Sequence, residues 1–593
     1  MPFFASKPQF GGTSASSLRR YKRRSLAVLG TALLGMAAQA QVVNPAADIN
    51  RQNQIIERQQ QDRLREEQDR AQRALPAPGG TNLQQVRPQV VVPDIGVQCR
   101  DIKEIRFNGD TGNLPGKLTE RLQGENAGRC LGVAELEAIL AALTKSYIDR
   151  GYITTRAYLP AQDLRSGVLE VTIVEGKIER FEVTGGRDRA QWIRGAFPAS
   201  PGDLLNLRDL EQGIDQVNSL AANNAKLDLR PGSAPGQTVV VVENPATFPV
   251  HLYTSLDNSG TRATGRDNAS ATVTFDSLLG LNELLSITKR QSVLPERWDH
   301  KSDSTGLRAV LPFGYSTFSL DASESNYRNV LRLPSGQFLA SEGTTISKSF
   351  TADRVVYRDQ ASRISLSARL GTQSSRNWLG GEFLQVASRD LTTLDVGASA
   401  FTQVGGGILN ARVGYVKGLK AFGALRDADT LEDDLPHAQF RKATLDLGFS
   451  RRFEAAGRAF SFSTQFSGQH AYDTLYGTQQ MLIGGGSSVR GFLNTVLSGD
   501  SGFYVRNELS MPWQLALGDG APLQGRIYTG FDVGRVSNRA SGVPSGSLSG
   551  ATLGAAFQWK TLSLDVFASR AVHVPSALVR EGTLYGFRLS ASL

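Results

Sequence analysis

Two short segments of the chain combine a charge with very small neighbours. Met481-Leu482-Ile483-Gly484-Gly485-Gly486-Ser487-Ser488-Val489-Arg490-Gly491-Phe492 delivers one arginine from a glycine-rich turn, with apolar residues on either side. The chemistry open to a lone guanidinium there is ion pairing, because no Gly-Lys-Ser/Thr follows to make a phosphate loop. On spacing alone Arg490 reads as an exposed loop cation, with an inward anchor as the alternative. In the second segment, Tyr528-Thr529-Gly530-Phe531-Asp532-Val533-Gly534, period 2 puts Tyr528, Gly530, Asp532 and Gly534 on one face. Small residues beside the acid leave room for another group to approach the wall. Were this strand part of a membrane wall, a charge facing lipid would cost a few kcal/mol, and Asp532 would be expected on the side away from it, facing a lumen. Reaction chemistry finds little support. His251, His300, His437, His470 and His573 are scattered, no Ser–His–Asp order or carboxylate pair stands out, and an enzyme is not expected. Two cysteines and five histidines leave little for a zinc scaffold or an iron–sulfur cluster, so neither metal nor cofactor is expected.

Composition narrows the class. With 61 glycines in 593 residues the chain is too glycine-rich for a helical bundle, and at 40% hydrophobic it is too apolar for disorder. Of the formal net charge of +9, Lys7, Arg19, Arg20, Lys22, Arg23 and Arg24 supply six units before residue 41. The case for a nucleic-acid partner goes with them. Those cations precede an apolar run from Leu26 to Ala37 and then Ala38-Gln39-Ala40, which reads as a secretory signal peptide over residues 1–40. The run is short of the ~18 apolar residues that an anchor needs. Cys99 and Cys130 then lie in an oxidising compartment and are expected to pair, two free thiols being the alternative. Closing that loop would contribute roughly 3–4 kcal/mol.

Asp48 to Ala74, within a region 41–75, has strong helix formers and almost no apolar face, so it is either solvated or held in a polar cavity. A Pro/Gly-bearing linker covers 76–96. Residues 97–176 and 177–247 repeat one small α+β order, with helical stripes at Leu136, Ile139, Leu140, Leu143, Tyr147 and at Leu204, Leu207, Leu210, Ile214, Val217, Leu220. From 248 to 593 short stretches alternate strictly. Ala269, Ala271, Val273 and Phe275 oppose Ser270, Thr272, Thr274 and Asp276, and Tyr585, Phe587, Leu589, Ala591 and Leu593 oppose Gly586, Arg588, Ser590 and Ser592. An apolar face against a face of hydroxyls and charges is the mark of a membrane barrel with a wet lumen. Strands of ~9–11 residues are expected, and about 20 residues per strand and turn gives sixteen antiparallel strands.

At this point the motifs show a likeness. Val489-Arg490-Gly491-Phe492 and Phe531-Asp532-Val533-Gly534 resemble the paired motifs of outer-membrane two-partner secretion transporters, of the haemolysin-activator and haemagglutinin-secretion type within the POTRA-barrel superfamily. Gly151-Tyr152-Ile153-Thr154-Thr155-Arg156, Gln162-Asp163-Leu164 and Gly167 are similar to the end of that family's first periplasmic POTRA module. Leu256-Asp257-Asn258-Ser259-Gly260, Leu311-Pro312-Phe313-Gly314-Tyr315 and Ser498-Gly499-Asp500-Ser501-Gly502 also match. The resemblance implies two POTRA modules, a sixteen-stranded barrel in a Gram-negative outer membrane, the modules in the periplasm, and the polar helix lodged in the pore. It further implies that the loop carrying Arg490 folds inward, where Arg490 pairs with Asp532. The implied partners are a large secreted exoprotein with an N-terminal secretion domain, outer-membrane lipid, and the barrel-assembly machinery. An insertase usually has more modules than two, and a passive porin would leave the modules unexplained.

Overall fold

The computed structural model describes residues 45–74, 99–185, 195–245, 247–293, 299–332, 336–518 and 520–593. The leader expected over 1–40 and the linker expected over 76–96 lie outside the described residues. The first element is α1 (Pro45–Ala74). Its buried positions, Asn53, Ile56, Glu57, Gln60, Leu64, Glu67 and Gln68, recur every three to four residues and make one face that is mostly polar.

The first α+β module contains β1 (Arg100–Ile102), β2 (Glu104–Gly109), α2 (Gly116–Asn126), β3 (Arg129–Leu131), α3 (Val133–Asp149), β4 (Arg156–Tyr158) and β5 (Val168–Val174). Strand β5 lies between a parallel β2 and an antiparallel β4, while β1 and β3 form a separate ribbon. Cys99 and Cys130 are joined beside that ribbon, with their Cα atoms 5.3 Å apart. Leu136, Ile139, Leu140 and Leu143 bring the apolar stripe of α3 onto Leu169 and Val171. The second module repeats the plan with β6 (Lys177–Thr184), α4 (Leu207–Val217), β7 (Lys226–Pro231) and β8 (Gln237–Glu243). Here β8 is central, and Leu210, Ile214 and Val217 cover Val240 and Val242. Each such side chain contributes about 1.5–3 kcal/mol on burial.

The barrel then begins. Strands β9 (Val250–Asp257), β10 (Asn268–Asp276), β11 (Leu284–Ser292), β12 (His300–Phe313), β13 (Ser316–Arg332), β14 (Phe338–Arg358) and β15 (Ser362–Leu379) pair in sequence order. A two-residue β16 (Glu382–Phe383) caps the end of β15, and β17 (Arg389–Val404), β18 (Gly407–Gly418), β19 (Arg441–Ala455) and β20 (Arg458–Ala471) continue the wall. Residues 472–500 leave it. Within them β21 (Met481–Ile483) and β22 (Leu497–Gly499) form a small ribbon, and β20 pairs directly with β23 (Ser501–Leu515). Strands β24 (Leu523–Ser537), β25 (Gly546–Trp559), β26 (Leu562–His573) and β27 (Leu584–Ser592) complete the circuit, and β27 pairs with β9 through Leu589 and Leu256. Setting aside β16, β21 and β22, sixteen antiparallel strands of the described residues close into one barrel.

Burial in this barrel runs opposite to that of a soluble core. Ser270, Thr272 and Thr274 are buried, whereas Leu320 is 58% and Leu553 62% exposed. Inside, hydroxyls pair across strands, Thr272 with Thr288 at 3.0 Å and Thr552 with Ser569 at 2.8 Å. Such a cylinder is stable only where its outside meets lipid. The strands are longer than expected on one side. β9 has 8 residues but β14 has 21. The surplus carries the wall beyond the apolar band, where the outer face of β14 changes from Phe350 to Glu342, paired with Arg328 of β13 at 2.6 Å.

Candidate functional site

The segment 472–500 folds into the barrel and plants Arg490 on the wall. Arg490 Nε donates to Asp532 Oδ2 at 2.6 Å, Nη2 to Oδ1 at 2.8 Å, and the backbone N–H to Oδ2 at 3.0 Å. Nη1 donates to Glu508 at 3.0 Å and the remaining reach of Nη2 goes to the Asn507 carbonyl at 3.0 Å. Arg490 is 8% exposed and Asp532 is wholly buried. The reading of Arg490 as an exposed loop cation is therefore corrected. Its partners lie 18 and 42 residues downstream on β23 and β24, out of reach of any local spacing rule. A fork-to-fork pair of this kind fixes orientation as well as position.

Backbone geometry makes the approach possible. A Cβ at Gly530 would fall 2.2 Å from Arg490 Nη2, and one at Gly550 would fall 1.7 Å from the Arg490 carbonyl oxygen. Gly491 has φ +98°, and a Cβ there would meet the Arg570 backbone at 2.6 Å. The flanking apolar residues hold too. Val489 and Phe492 pack with Ile483, Leu497 and the inward Val536, Leu548 and Ala571, an apolar patch within a polar lumen. Gly534 borders Val489, whereas Phe531 points outward on the opposite face from Asp532.

The helix α1 lies against the same lumen. Asn53 accepts from Ser341 (2.9 Å), Glu57 from Asn377 (2.8 Å) and Ser375 (3.1 Å), and Gln54 from the Gly477 N–H (2.6 Å). Glu67 accepts from Ser270 (3.0 Å) and from Arg588 (2.8 Å), and lies 3.4 Å from Arg290. Arg290 in turn forks onto Asp257 at 2.9 and 3.1 Å, so this cluster straddles the closing β27–β9 seam. The wall yields space at Gly306, where a Cβ would fall 2.7 Å from Gln68 Nε2. Beside the helix a polar cavity of about 1050 Å³ remains, lined by charges that include Arg63, Glu66, Arg369, Asp395, Lys442 and Arg506.

Several contacts were not visible in the sequence. Glu581, in the loop before β27, accepts from three successive backbone N–H groups, Leu493 (3.1 Å), Asn494 (3.0 Å) and Thr495 (2.7 Å), and so latches the return limb of the inserted segment. Burial opposes its charge, but the N–H groups of Thr495, Leu493 and Asn494 outweigh it and hold the carboxyl below its ordinary value. Asp500 accepts from Leu475 and Arg539 N–H groups, both at 2.9 Å, closing the base of the same segment. The Gly314 carbonyl takes hydrogen bonds from Gln212 (3.2 Å) and Gln216 (3.1 Å) of α4, and Arg358 donates to Gln212 at 2.9 Å. The turn at Leu311–Tyr315 is thus the socket that holds the second module to the barrel mouth.

The motif residues of the first module build that module rather than an open site. Gly151, φ +95°, receives α4, with the Leu207 N–H donating to its carbonyl at 2.8 Å. The Tyr152 ring meets Tyr147 edge-on at 6.2 Å. Thr155 accepts from the Gly176 N–H at 3.1 Å, and Arg156 donates to the Ile153 carbonyl at 2.7 Å. Gln162 pairs with the Glu170 backbone in both directions, at 2.8 and 2.7 Å. Asp163 caps the short turn Leu164–Ser166, Leu164 is buried in the core, and Gly167, φ +77°, ends the turn and accepts from Lys103 N–H at 2.7 Å. Among the described residues no group of three or more His, Cys, Asp and Glu is arranged to hold a metal ion.

Comparison with known proteins agrees with this architecture. Residues 236–557 match the model of the haemolysin secretion/activation protein ShlB/FhaC/HecB, residues 101–176 a POTRA domain of ShlB type, and residues 177–231 a further POTRA domain. The chain is 31% identical to the outer membrane transporter CdiB of Dickeya dadantii over 522 residues, 86% of this chain and 90% of that one. It is 31% identical to the hemolysin transporter protein ShlB of Serratia marcescens over 518 residues, 87% of each chain. The solved structure of CdiB from Escherichia coli superimposes with a TM-score of 0.80 at 29% identity, covering 91% of this chain and 98% of that one. With its inserted arginine loop, its lumen helix and its pair of periplasmic POTRA modules, the chain belongs to the haemolysin secretion/activation family of outer-membrane two-partner secretion transporters.

Proposed function

We propose that the chain threads an unfolded partner exoprotein through its barrel, with α1 as a removable plug and the Arg490–Asp532 pair as the tether of the inserted loop. The observation that carries this reading is the polar face of α1. Its hydrogen bonds to the wall between neutral groups are each worth about 0.5–1.5 kcal/mol net and those at Glu57 and Glu67 about 1.5–3, and water can replace them when the helix leaves. An apolar plug of the same size would resist release. The cavity beside the helix is lined mainly by charged and polar side chains, which leave an extended chain little apolar surface on which to stall. The sequence carries no phosphate-binding loop, and the drive is folding of the cargo outside, which prevents its return.

Recognition takes place on the POTRA modules by strand addition. Their edges differ. On β2 the Ile105 N–H is already taken by Gln123 at 2.9 Å, and β7 presents Lys226, Asp228 and Arg230, which discourage pairing. Strand β4 is the more open edge. Its Ala157 N–H has only a 3.4 Å contact to Thr144, and Tyr158 is 51% exposed. A photoreactive residue at Tyr158 is expected to trap the N-terminal secretion domain of the exoprotein, and one at Arg230 is not. Equal trapping at both positions, or trapping at Arg230 alone, would remove β4 as the docking edge.

A further inference from the structure

The outer face of the barrel carries a lysine without a partner. On β14, Ile346, Lys348 and Phe350 are exposed, while Ser349 is buried and Ser347 takes a hydrogen bond from Gln61 of α1 at 3.4 Å, so Lys348 points away from the lumen. It stands opposite Ala322 of β13 and Thr372 of β15. Among the described residues it makes no hydrogen bond or ion pair. Arg328 and Arg376, nearer the extracellular rim of the flanking strands, each have one, with Glu342 at 2.6 Å and with Asp390 at 2.8 Å. An ammonium left bare on a lipid-facing wall is unfavourable, more so with depth.

An apolar groove of about 690 Å³ runs beside Lys348, lined by Leu307, Leu320, Phe350, Leu370 and Phe422. Phe422 reaches it from the extracellular loop after β18, which folds back on β17 through Leu419 N–H to Thr392 and Leu425 N–H to Asp390, both at 2.8 Å. The residue has φ +53° and is 72% exposed. A bulky residue seldom adopts the left-handed conformation, and here it holds Phe422 at the rim of the apolar groove.

We propose that the groove binds an anionic, phosphate-bearing lipid of the outer leaflet. An acyl chain lies along Leu307, Leu320, Phe350 and Leu370, the phosphate meets Lys348 Nζ, and Phe422 closes over the chain. Charge complementarity selects the occupant, since a neutral lipid would fill the groove and leave the ammonium unmatched. The flexible lysine stem allows the head to rise to the phosphate level.

The test uses the full chain in non-ionic detergent, with bound lipid counted by native mass spectrometry and lipid A as the probe. The parent is expected to retain one lipid A molecule, and to retain the phosphatase-treated lipid at least tenfold less well. Lys348→Gln is expected to weaken retention at least tenfold, Lys348→Arg to keep it, and Phe422→Ala to speed release. Equal retention of the two lipids by the parent would overturn the phosphate contact without recourse to any variant. Equal retention by Lys348→Gln, with heat-modifiable gel mobility intact, would overturn the site.

Discussion

Asp532→Asn isolates the tether. The carboxylate accepts three hydrogen bonds from Arg490, at 2.6, 2.8 and 3.0 Å, with both groups removed from water. The amide keeps the shape and one acceptor, but turns its NH₂ against the guanidinium. Removing one member of a buried ion pair costs about 3–5 kcal/mol. Glu508 remains at 3.0 Å as a partly exposed second partner, which places the effect at the low end, about 3 kcal/mol, or roughly 100-fold in the population of the released loop. Ser488→Cys reports that population. Ser488 is 4% exposed, and the chain's two cysteines are joined to each other, so the new thiol stands alone. A membrane-impermeant maleimide reaches it only when the loop leaves the wall, and where reclosing is fast the labelling rate tracks the open fraction. Asp532→Asn is expected to speed labelling about 100-fold, and Glu508→Gln by less than tenfold because Glu508 is the more solvated acid. Labelling within threefold of the parent, or a larger effect from Glu508→Gln, would refute the assignment of Asp532 as the main anchor.

Other outcomes follow from the same contacts. Deleting residues 45–74 should raise single-channel conductance in planar bilayers, since a helix about 10–12 Å across is removed from the lumen; unchanged conductance would mean the helix does not occlude the pore. Glu581→Gln should loosen the return limb by about 1–2 kcal/mol after discounting for partial exposure, seen as roughly tenfold faster amide exchange over residues 493–495. The carboxyl is depressed below 4.5, so the latch is fully present above that pH and is lost as pH falls through the lowered value. Protection at these amides, taken relative to their intrinsic exchange rate at each pH, should therefore fall in acid in the parent and not in Glu581→Gln.

The period-2 strands and the two α+β modules were legible because their signals are local. The stripe at Leu136, Ile139, Leu140 and Leu143 faces a sheet within its own module, and Ser270, Thr272 and Thr274 turn inward as alternation requires. The face of α1 was harder to read. Asn53, Glu57, Gln60, Leu64 and Glu67 follow helical spacing, but a search for apolar stripes passes over a stripe matched to a polar wall. Arg490 shows the limit of spacing arguments, since burial of a cation depends on acids that arrive from β23 and β24. Glu581 gave no local sign at all, because its partners are main-chain groups some 86–88 residues away. The extra length of β13 to β15 was hidden because the alternation continues where the outer face turns from hydrocarbon to charge.

Cargo is expected to pass through the lumen only when α1 has left it. Asn53 Oδ1 and Ser341 Oγ lie 2.9 Å apart, so Asn53→Cys with Ser341→Cys can be joined by a short bis-methanethiosulfonate, which forms a disulfide with each thiol, loses sulfinate, and is released by a reductant. Secretion of the partner exoprotein into the medium is then measured before and after cleavage, with each single variant treated alike. Secretion should fall to background while the helix is fixed to β14 and recover on cleavage, with the single variants unaffected. Secretion that continues with the helix held in place would mean that cargo leaves without displacing α1, and α1 would not be a plug.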